Sequence, residues 1–153
     1  MATAISLSSL IPPRTCCRAI EVADDVLFVT ASARNSRATC LSCSSPARRV
    51  YSRYVRRVAD LPSSGRPVRL RLITRRFRCD AATCQRRIFA EPFGDAVPKR
   101  ARRTGRMECI VHHLGLALGG RPAASFAVRL MTSVSNGTLL RVVRRRARQW
   151  MRP

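Results

Sequence analysis

Two closely spaced cysteine pairs constrain this chain more than any other feature. Two residues separate Cys40 from Cys43, and four separate Cys79 from Cys84. Pairs of this kind supply the four thiolates of a tetrahedral Zn²⁺ site when strands bring them together. Any one pair is also compatible with cysteine as a small buried hydrophobic residue, but two pairs at the ends of strand patterns favour a metal. We therefore expect one structural Zn²⁺ held by Cys40, Cys43, Cys79 and Cys84.

The charge of the chain is the second constraint. The 153 residues include 30 Lys or Arg and 8 Asp or Glu, which gives a formal net charge of +22. Lys99 is the one lysine, so nearly all of the positive charge is arginine. An excess of this size implies a polyanionic partner, and guanidinium groups suit phosphates and guanine edges. Because a GC-rich genome also favours Arg over Lys, the sign of the charge is more informative than the type of cation.

Composition also limits the class of protein and its compartment. With 46% hydrophobic residues the chain is not disordered throughout, and no apolar run reaches the length of a membrane-spanning helix. The odd number of cysteines suits metal better than disulfides and favours a reducing cytoplasm, with Cys16, Cys17 and Cys109 as unpaired thiols. Residues 1–20 contain no acid, as in organellar transit peptides, but they run directly into a hairpin pattern.

Residues 19–92 are predicted to form a β module after an N-terminal extension of residues 1–18. Apolar residues on both sides of Asp24 and Asp25 predict a hairpin with this acidic pair in its turn. A second strand pattern covers residues 48–60 and is followed by a turn at residues 61–65. Residues 68–75 alternate between apolar and mostly basic side chains, which predicts a strand with two different faces that leads to Cys79.

Residues 98–150 have helical periodicity instead. Apolar residues between Met107 and Leu118 recur at i, i+3 and i+4, and two glycines end the run. Pro122 is expected to open a second helix that reaches about Met131, and Ser135 to cap a third. The predicted fold class is therefore α+β, with a small zinc-stapled, zinc-ribbon-like β module followed by a three-helix helix-turn-helix module.

The third predicted helix has the clearest division of charge. One face is apolar, and the opposite face carries arginines without any acid, whereas solvated faces usually mix signs. We therefore expect this helix to contact DNA. Its apolar face consists of Leu139, Val142, Val143, Ala147 and Trp150. The predicted DNA contacts are Ser135, Asn136, Thr138, Arg141, Arg144, Arg145 and Arg148, with Arg69 and Arg71 of the β module contributing mainly to nonspecific affinity.

No pattern typical of a catalytic site is present in the sequence. His112 and His113 are adjacent and point about 100° apart on a helix, so we expect packing or surface histidines. There is no Gly-rich phosphate loop, Ser-His-Asp set or carboxylate cluster, and no acid follows Glu108. We therefore expect a protein that is not an enzyme.

These segments together resemble a known family. Residues 49–62, 65–70, 75–80, 84 and 87–89 resemble the N-terminal zinc finger of the IS-L-three family of bacterial insertion-sequence transposases. Residues 101–104, 114–120, 134–135 and 138–141 look like the helix-turn-helix region of that family. The chain differs from the family pattern at Ser63 and at Met131, where the family often has Gly. It also differs at residues 135–137, where the family prefers Arg-Asp.

The resemblance implies a bacterial, nucleoid-associated protein that binds the terminal repeats of its element as double-stranded DNA, either alone or as a homodimer. It also implies a metal-dependent catalytic domain with an acidic triad. Because the chain ends at Pro153, where that domain would begin, we expect a truncated transposase. Charge and cysteines alone also permit a basic zinc-ribbon protein that binds RNA or the ribosome, although the helical pattern argues against it. A complete nuclease or recombinase is disfavoured by length and by the small number of acids.

Overall fold

The computed structural model describes residues 11–150, and of Gln149 and Trp150 it describes the backbone alone. Within these residues a group of strands precedes three helices, which confirms the α+β class. The strands are β1 (Thr15–Ala23), β2 (Val26–Ala33), β3 (Ala38–Thr39), β4 (Pro46–Ala47), β5 (Val50–Ser63), β6 (Arg66–Arg78) and β7 (Ile88–Ala90). A 3₁₀ turn at Gly94–Ala96 leads to α1 (Gly105–Leu118), α2 (Gly120–Arg129) and α3 (Asn136–Trp150).

Five strands form one sheet in the order β1-β2-β6-β5, with β7 also paired to β6. The β2–β6 pair is parallel, and the other pairs in the sheet are antiparallel. Strands β3 and β4 form a separate two-residue ribbon. The long β5–β6 hairpin runs the length of the sheet, so its two ends can carry two different sites.

The predicted acidic turn is confirmed. Asp24 and Asp25 join β1 to β2 with φ of 50° and 58°, as a type I′ turn requires. Strand β1 begins at Thr15, ahead of the predicted module start at residue 19, because Thr15, Cys16 and Cys17 pair with residues 31–33. Residues 1–10 of the predicted N-terminal extension lie outside the described residues.

The β5–β6 turn is shorter than predicted. It consists of Ser64 and Gly65 with φ of 52° and 70°, and β5 continues through residues 61–63. The register shifts between Asp60 and Ser63, which accommodates Pro62 and its missing amide hydrogen. A proline within a strand is therefore tolerated here at an irregularity of the ladder.

Strand β6 has the two faces that its alternation predicts. Its residues 68, 70, 72 and 74 are buried, and Arg69 is exposed. The buried face packs in a core formed by Val29, Ala31, Val58, Val68, Leu70, Leu72, Phe93 and Val97. Because Phe93 and Val97 belong to this core, the packing of the sheet extends past the predicted boundary at residue 92.

The helices begin and end close to the predicted signals. The Thr104 hydroxyl oxygen accepts a hydrogen bond from the Met107 amide at 3.3 Å, and Gly119, with φ 73°, ends α1. Helix α2 begins at Gly120, so Pro122 lies in its first turn and is not its first residue. Ser135 directly precedes α3, and its hydroxyl oxygen accepts from the Thr138 amide at 3.4 Å. None of the helices in residues 11–150 is long and apolar enough to cross a membrane.

The helices share a second core, formed by Ala59, Met107, Val111, Ala123, Val134, Leu139 and Val142. A Cβ added to Gly115 would lie 2.8 Å from Val143 Cγ2, so α1 and α3 approach each other closely at this point. The prediction that Ala147 packs on the apolar face is wrong. Ala147 is exposed because it lies a full turn past Val143, which is itself only half-buried. The side chain of Trp150, also expected on that face, lies outside the described residues.

Candidate metal centre and nucleic-acid interface

The four predicted cysteines meet at one end of the β5–β6 hairpin. Cys79 directly follows β6, Cys84 lies in the next turn, and Cys40 and Cys43 lie between β3 and β4. Their Sγ atoms all lie within 4.8 Å of one another, with 3.8 Å between Cys40 and Cys84 and 3.5 Å between Cys43 and Cys79. Zn–S bonds of about 2.3 Å give a tetrahedron with edges of about 3.8 Å, so the cluster has the size of a zinc site. These separations are far longer than a disulfide bond of about 2.05 Å.

Backbone amides face each of these sulfurs from two residues further along the chain. The four amides belong to Ser42, Ser45, Ala81 and Arg86. Amide hydrogen bonds from Ser42 and Cys43 lower the pKa of the Cys40 thiol, and the hydroxyl and amide of Ser45 lower the pKa of Cys43 to about 6.

Cys79 shows the opposite balance. The Ala81 amide favours its thiolate, but burial and the neighbouring thiols outweigh that hydrogen bond and raise the pKa of Cys79 to about 12. Four neighbouring thiolates repel one another. A divalent cation bound among the four sulfurs would offset this repulsion and favour the thiolate form of every cysteine.

The apolar surroundings of the cysteines are small. Ala47, Phe77 and Phe89 pack with three of the cysteines, and the two aromatic rings stack at 6.0 Å between centroids. Glu91, whose side chain is 4% exposed, forms an ion pair with Arg75 at 2.6 Å and holds the end of β7 against β6. A core of this size needs a staple, and the metal provides one.

The other end of the hairpin carries a polar junction that the sequence analysis did not assign. Asp60 is buried, and its Oδ1 accepts hydrogen bonds from the Leu61 amide at 2.9 Å, Thr104 Oγ1 at 2.6 Å and Arg106 Nε at 2.8 Å. Because Thr104 also caps α1, this carboxylate joins the sheet directly to the first helix. The sequence signal for this junction was Asp60 itself, an acidic residue inside a predicted strand of a chain that has few acids.

The four arginines of α3 that are predicted to contact DNA share one property in the structure. Arg141, Arg144, Arg145 and Arg148 are all exposed. Arg145 forms an ion pair with Glu108 of α1, and Arg103 pairs with the same carboxylate at 3.3 Å. The sequence of α3 contains no acid, but the folded chain brings one to the edge of its basic face.

The residues predicted at the start of α3 have different surroundings. Ser135 is exposed, and Thr138 is half-buried beside it, with 3.0 Å between the two hydroxyl oxygens. The side-chain oxygen of Asn136 is buried against Gly120 of α2. Asn136 therefore packs between two helices, whereas Ser135 faces solvent.

The two predicted arginines of β6 also differ. Arg71 donates to Glu21 at 2.8 Å, and its guanidinium lies 4.1 Å from the centre of the Phe28 ring. Arg69 is exposed and lines a cavity of about 190 Å³ together with Arg102 and two residues of the α2–α3 connection. Arg69 therefore lies next to the helices, and Arg71 lies further along the sheet.

A loop that precedes α1 carries further cations. Residues 98–103 form this segment, here called the basic loop, in which Lys99, Arg100 and Arg102 are exposed. None of these cations is among the predicted DNA contacts. The run of four cations within residues 99–103 was the signal that could have identified it.

Comparison with known proteins gives one match. Residues 36–84, which contain β3 to β6 and all four cysteines, match the family model of the zinc-finger of transposase IS204/IS1001/IS1096/IS1165. No curated protein and no solved structure matches the chain significantly. The chain thus contains a transposase-type zinc ribbon, and Cys40, Cys43, Cys79 and Cys84 form its structural zinc site.

Proposed function

We propose that this protein binds double-stranded DNA at the ends of an insertion element of the IS-L-three type and uses α3 as its recognition helix. The match of residues 36–84 to a transposase zinc finger carries the proposal, because it indicates a DNA-binding role related to transposition. The proposed ligand is the terminal repeat of the element, and the proposed location is the bacterial nucleoid. A homodimer would suit repeats that face each other.

The arrangement of the helices supports a helix-turn-helix. The three helices surround one core, and residues 130–135 form the connection between α2 and α3. In this motif the second helix of the pair enters the major groove and contacts base edges near its N-terminus. Ser135, which directly precedes α3, and Arg141 of α3 are exposed, whereas Leu139 and Val142 are buried in the helical core.

The acids of the chain support DNA binding rather than DNA cleavage by this region. Six of the eight form ion pairs with arginines: Glu21, Asp25, Asp60, Asp80, Glu91 and Glu108. Within residues 11–150, the four cysteines are the one group of three or more potential ligands close enough to share a metal. Metal-dependent phosphoryl transfer requires carboxylates gathered around its metal ions.

Fluorescence anisotropy with three labelled nucleic acids tests this proposal. The first is a duplex of about two helical turns taken from the end of the element, the second a scrambled duplex, and the third a structured RNA of equal length. We expect the first duplex to bind more tightly than the second by about a hundredfold or more, since specific sites commonly exceed nonspecific ones by at least 10³. Tighter binding of the RNA than of both duplexes would contradict the proposal and favour an RNA-binding zinc ribbon.

A further inference from the structure

We propose that the groove between the basic loop and α3 binds the phosphodiester backbone of DNA, and that Glu108 is an internal anion that the phosphate displaces. This inference rests on the duplex binding proposed above and adds a second contact surface to it. The recognition helix by itself would contact DNA through its exposed arginines. The groove extends the contact to residues that precede the helices in the chain.

The groove has a volume of about 710 Å³ and is strongly cationic. Lys99, Arg100 and Arg102 lie on the side of the basic loop, and Arg141 and Arg145 lie on the side of α3. Seven Lys or Arg residues line it in total, against two acids, Asp95 and Glu108. Facing rows of cations at this density repel one another unless an anion lies between them.

The basic loop is held in place by backbone contacts with β5. The Arg56 guanidinium donates to the carbonyl oxygens of Pro98 and Ala101 at 3.0 and 3.1 Å. The Ala59 amide donates to the Arg102 carbonyl, and the Thr104 amide to the Ala59 carbonyl, both at 2.9 Å. These bonds order the backbone of the loop before any ligand arrives, which reduces the entropic cost of binding.

The groove is continuous with the basic face of the sheet. Arg102 lines both the groove and the smaller cavity that contains Arg69. A DNA strand that follows these side chains would pass from β6, over the basic loop, to Arg141 of α3. The two predicted groups of DNA contacts, on the sheet and on the helix, would thereby belong to one surface.

Glu108 is placed to regulate this surface. Its side chain is 17% exposed and forms ion pairs with Arg103 at 3.3 Å and with Arg145. A phosphate that enters the groove can take over Arg145, whose side chain is 59% exposed. The Glu108 carboxylate would still be paired with Arg103, so it would not be left without a cation. Glu108 therefore lowers the affinity of the groove for anions without closing it.

Two pairs of variants with matched charge test the inference by anisotropy with the scrambled duplex across a range of salt concentrations. Lys99→Ala/Arg100→Ala removes two groove cations, and Arg18→Ala/Arg37→Ala removes two exposed cations near the β1–β2 hairpin. We expect the groove variant to flatten the salt slope by about 1.8, since each lost phosphate contact removes about 0.9. The control should leave the slope nearly unchanged. An equal effect of the two variants would overturn the inference.

Glu108→Gln and Asp25→Asn each remove one negative charge and form the second pair. Glu108→Gln is expected to tighten binding about fourfold, because a carboxylate within several ångströms of the phosphate no longer repels it. Asp25 lies in an exposed turn, so Asp25→Asn should change affinity by less than about 1.5-fold. Unchanged or weaker binding by Glu108→Gln, with zinc content and melting temperature retained, would contradict the role of Glu108.

Titration with inorganic tripolyphosphate separates this inference from the proposed function. If the wild-type protein fails to bind any duplex, the proposed function is wrong, and the groove is then judged by the same four variants with tripolyphosphate. Weaker binding by the groove variant than by its control supports an anion-binding groove. Equal binding by both rejects it. If duplexes bind and only variants of Arg144 and Arg148 matter, α3 is the DNA surface and the groove is not.

Discussion

The two ends of the β5–β6 hairpin are stabilised in different ways. At the end near Phe77, four thiols surround a metal position, and few apolar side chains pack around them. At the end near Asp60, a buried carboxylate and a core shared with three helices connect the sheet to the second half of the chain. The same two strands thus depend on a metal at one end and on protein contacts alone at the other.

This difference makes the stability of the two ends separable. Structural zinc contributes folding free energy directly, so the end near Phe77 depends on metal supply and on thiolate formation. The end near Asp60 depends on hydrogen bonds that are satisfied whenever the helices are docked. We therefore expect changes at one end to leave the other end largely folded, and the following predictions test that expectation.

The largest effect is expected from Cys79→Ser. It removes one of four ligands and should reduce the metal content from one Zn²⁺ per chain to none, because structural zinc sites require all four positions. Native mass spectrometry measures the metal, and circular dichroism measures the helices, which should remain folded. Cys109→Ser serves as control because Cys109 lies on α1, away from the cluster. Full zinc content in Cys79→Ser would refute the ligand set.

The next largest effect is expected from Asp60→Ala. The variant loses the hydrogen bonds that the buried carboxylate accepts from Leu61, Thr104 and Arg106 but leaves Arg106 partly exposed to water, so unfolding should become easier by about 2 to 4 kcal/mol. Urea denaturation followed by the helical signal measures this cost. Zinc content should not change. Asp25→Ala, which removes an exposed ion pair with Arg66, should leave the unfolding curve in place. Loss of zinc from Asp60→Ala would show that the two ends are not separable.

The sequence predicts the zinc end better than the helix end. Cysteine spacing identifies all four sulfurs because metal ligation restricts residue type and spacing together. The buried and exposed sides of β6, and the division of charge on α3, follow from periodicity alone. These features are local, and each is repeated several times within one element.

Contacts between distant segments were not predictable in the same way. Asp60 and Thr104 are 44 positions apart, and Glu108 and Arg145 are 37 apart, so no periodic pattern connects them. Sequence rules allow proline on an edge strand or at a bulge, but they do not locate the register shift that lets β5 extend through Pro62.

A smaller effect is expected from Met131→Gly in the α2–α3 connection. Met131 has φ 55°, a conformation that costs a non-glycine residue about 1 to 2 kcal/mol. Glycine at this position should therefore stabilise the helices by about 1 kcal/mol. Gly119→Ala is the matched opposite, since Gly119 has φ 73° and open space around it. It should destabilise by a similar amount in urea denaturation. Destabilisation by Met131→Gly would contradict this description of the connection.

The smallest effect concerns pH and His112 of α1. Burial, followed by the charge of Arg146, lowers the pKa of His112 below its usual 6.5. The unfolded chain therefore takes up the proton first, and stability should be full above pH 6.5 and fall as the pH drops from 6.5 towards the folded-state value. Melting temperatures at pH 7.5 and pH 6 should differ less in His112→Leu than in the wild type. His113→Ala removes a contribution to the lowered pKa of His112 that is smaller than burial and the charge of Arg146, so it should retain most of the wild-type difference.

The salt dependence of duplex binding tests the central claim, that arginines of α3 contact DNA phosphates. Binding of the element-end duplex is measured across salt concentrations for the wild type, for Arg144→Ala/Arg148→Ala and for the charge-matched control Arg18→Ala/Arg37→Ala. We predict that the α3 variant flattens the salt slope by about 1.8, while the control retains the wild-type slope. An unchanged slope in the α3 variant, together with loss of binding in Arg69→Ala/Arg71→Ala, would contradict the claim and place the DNA on the sheet.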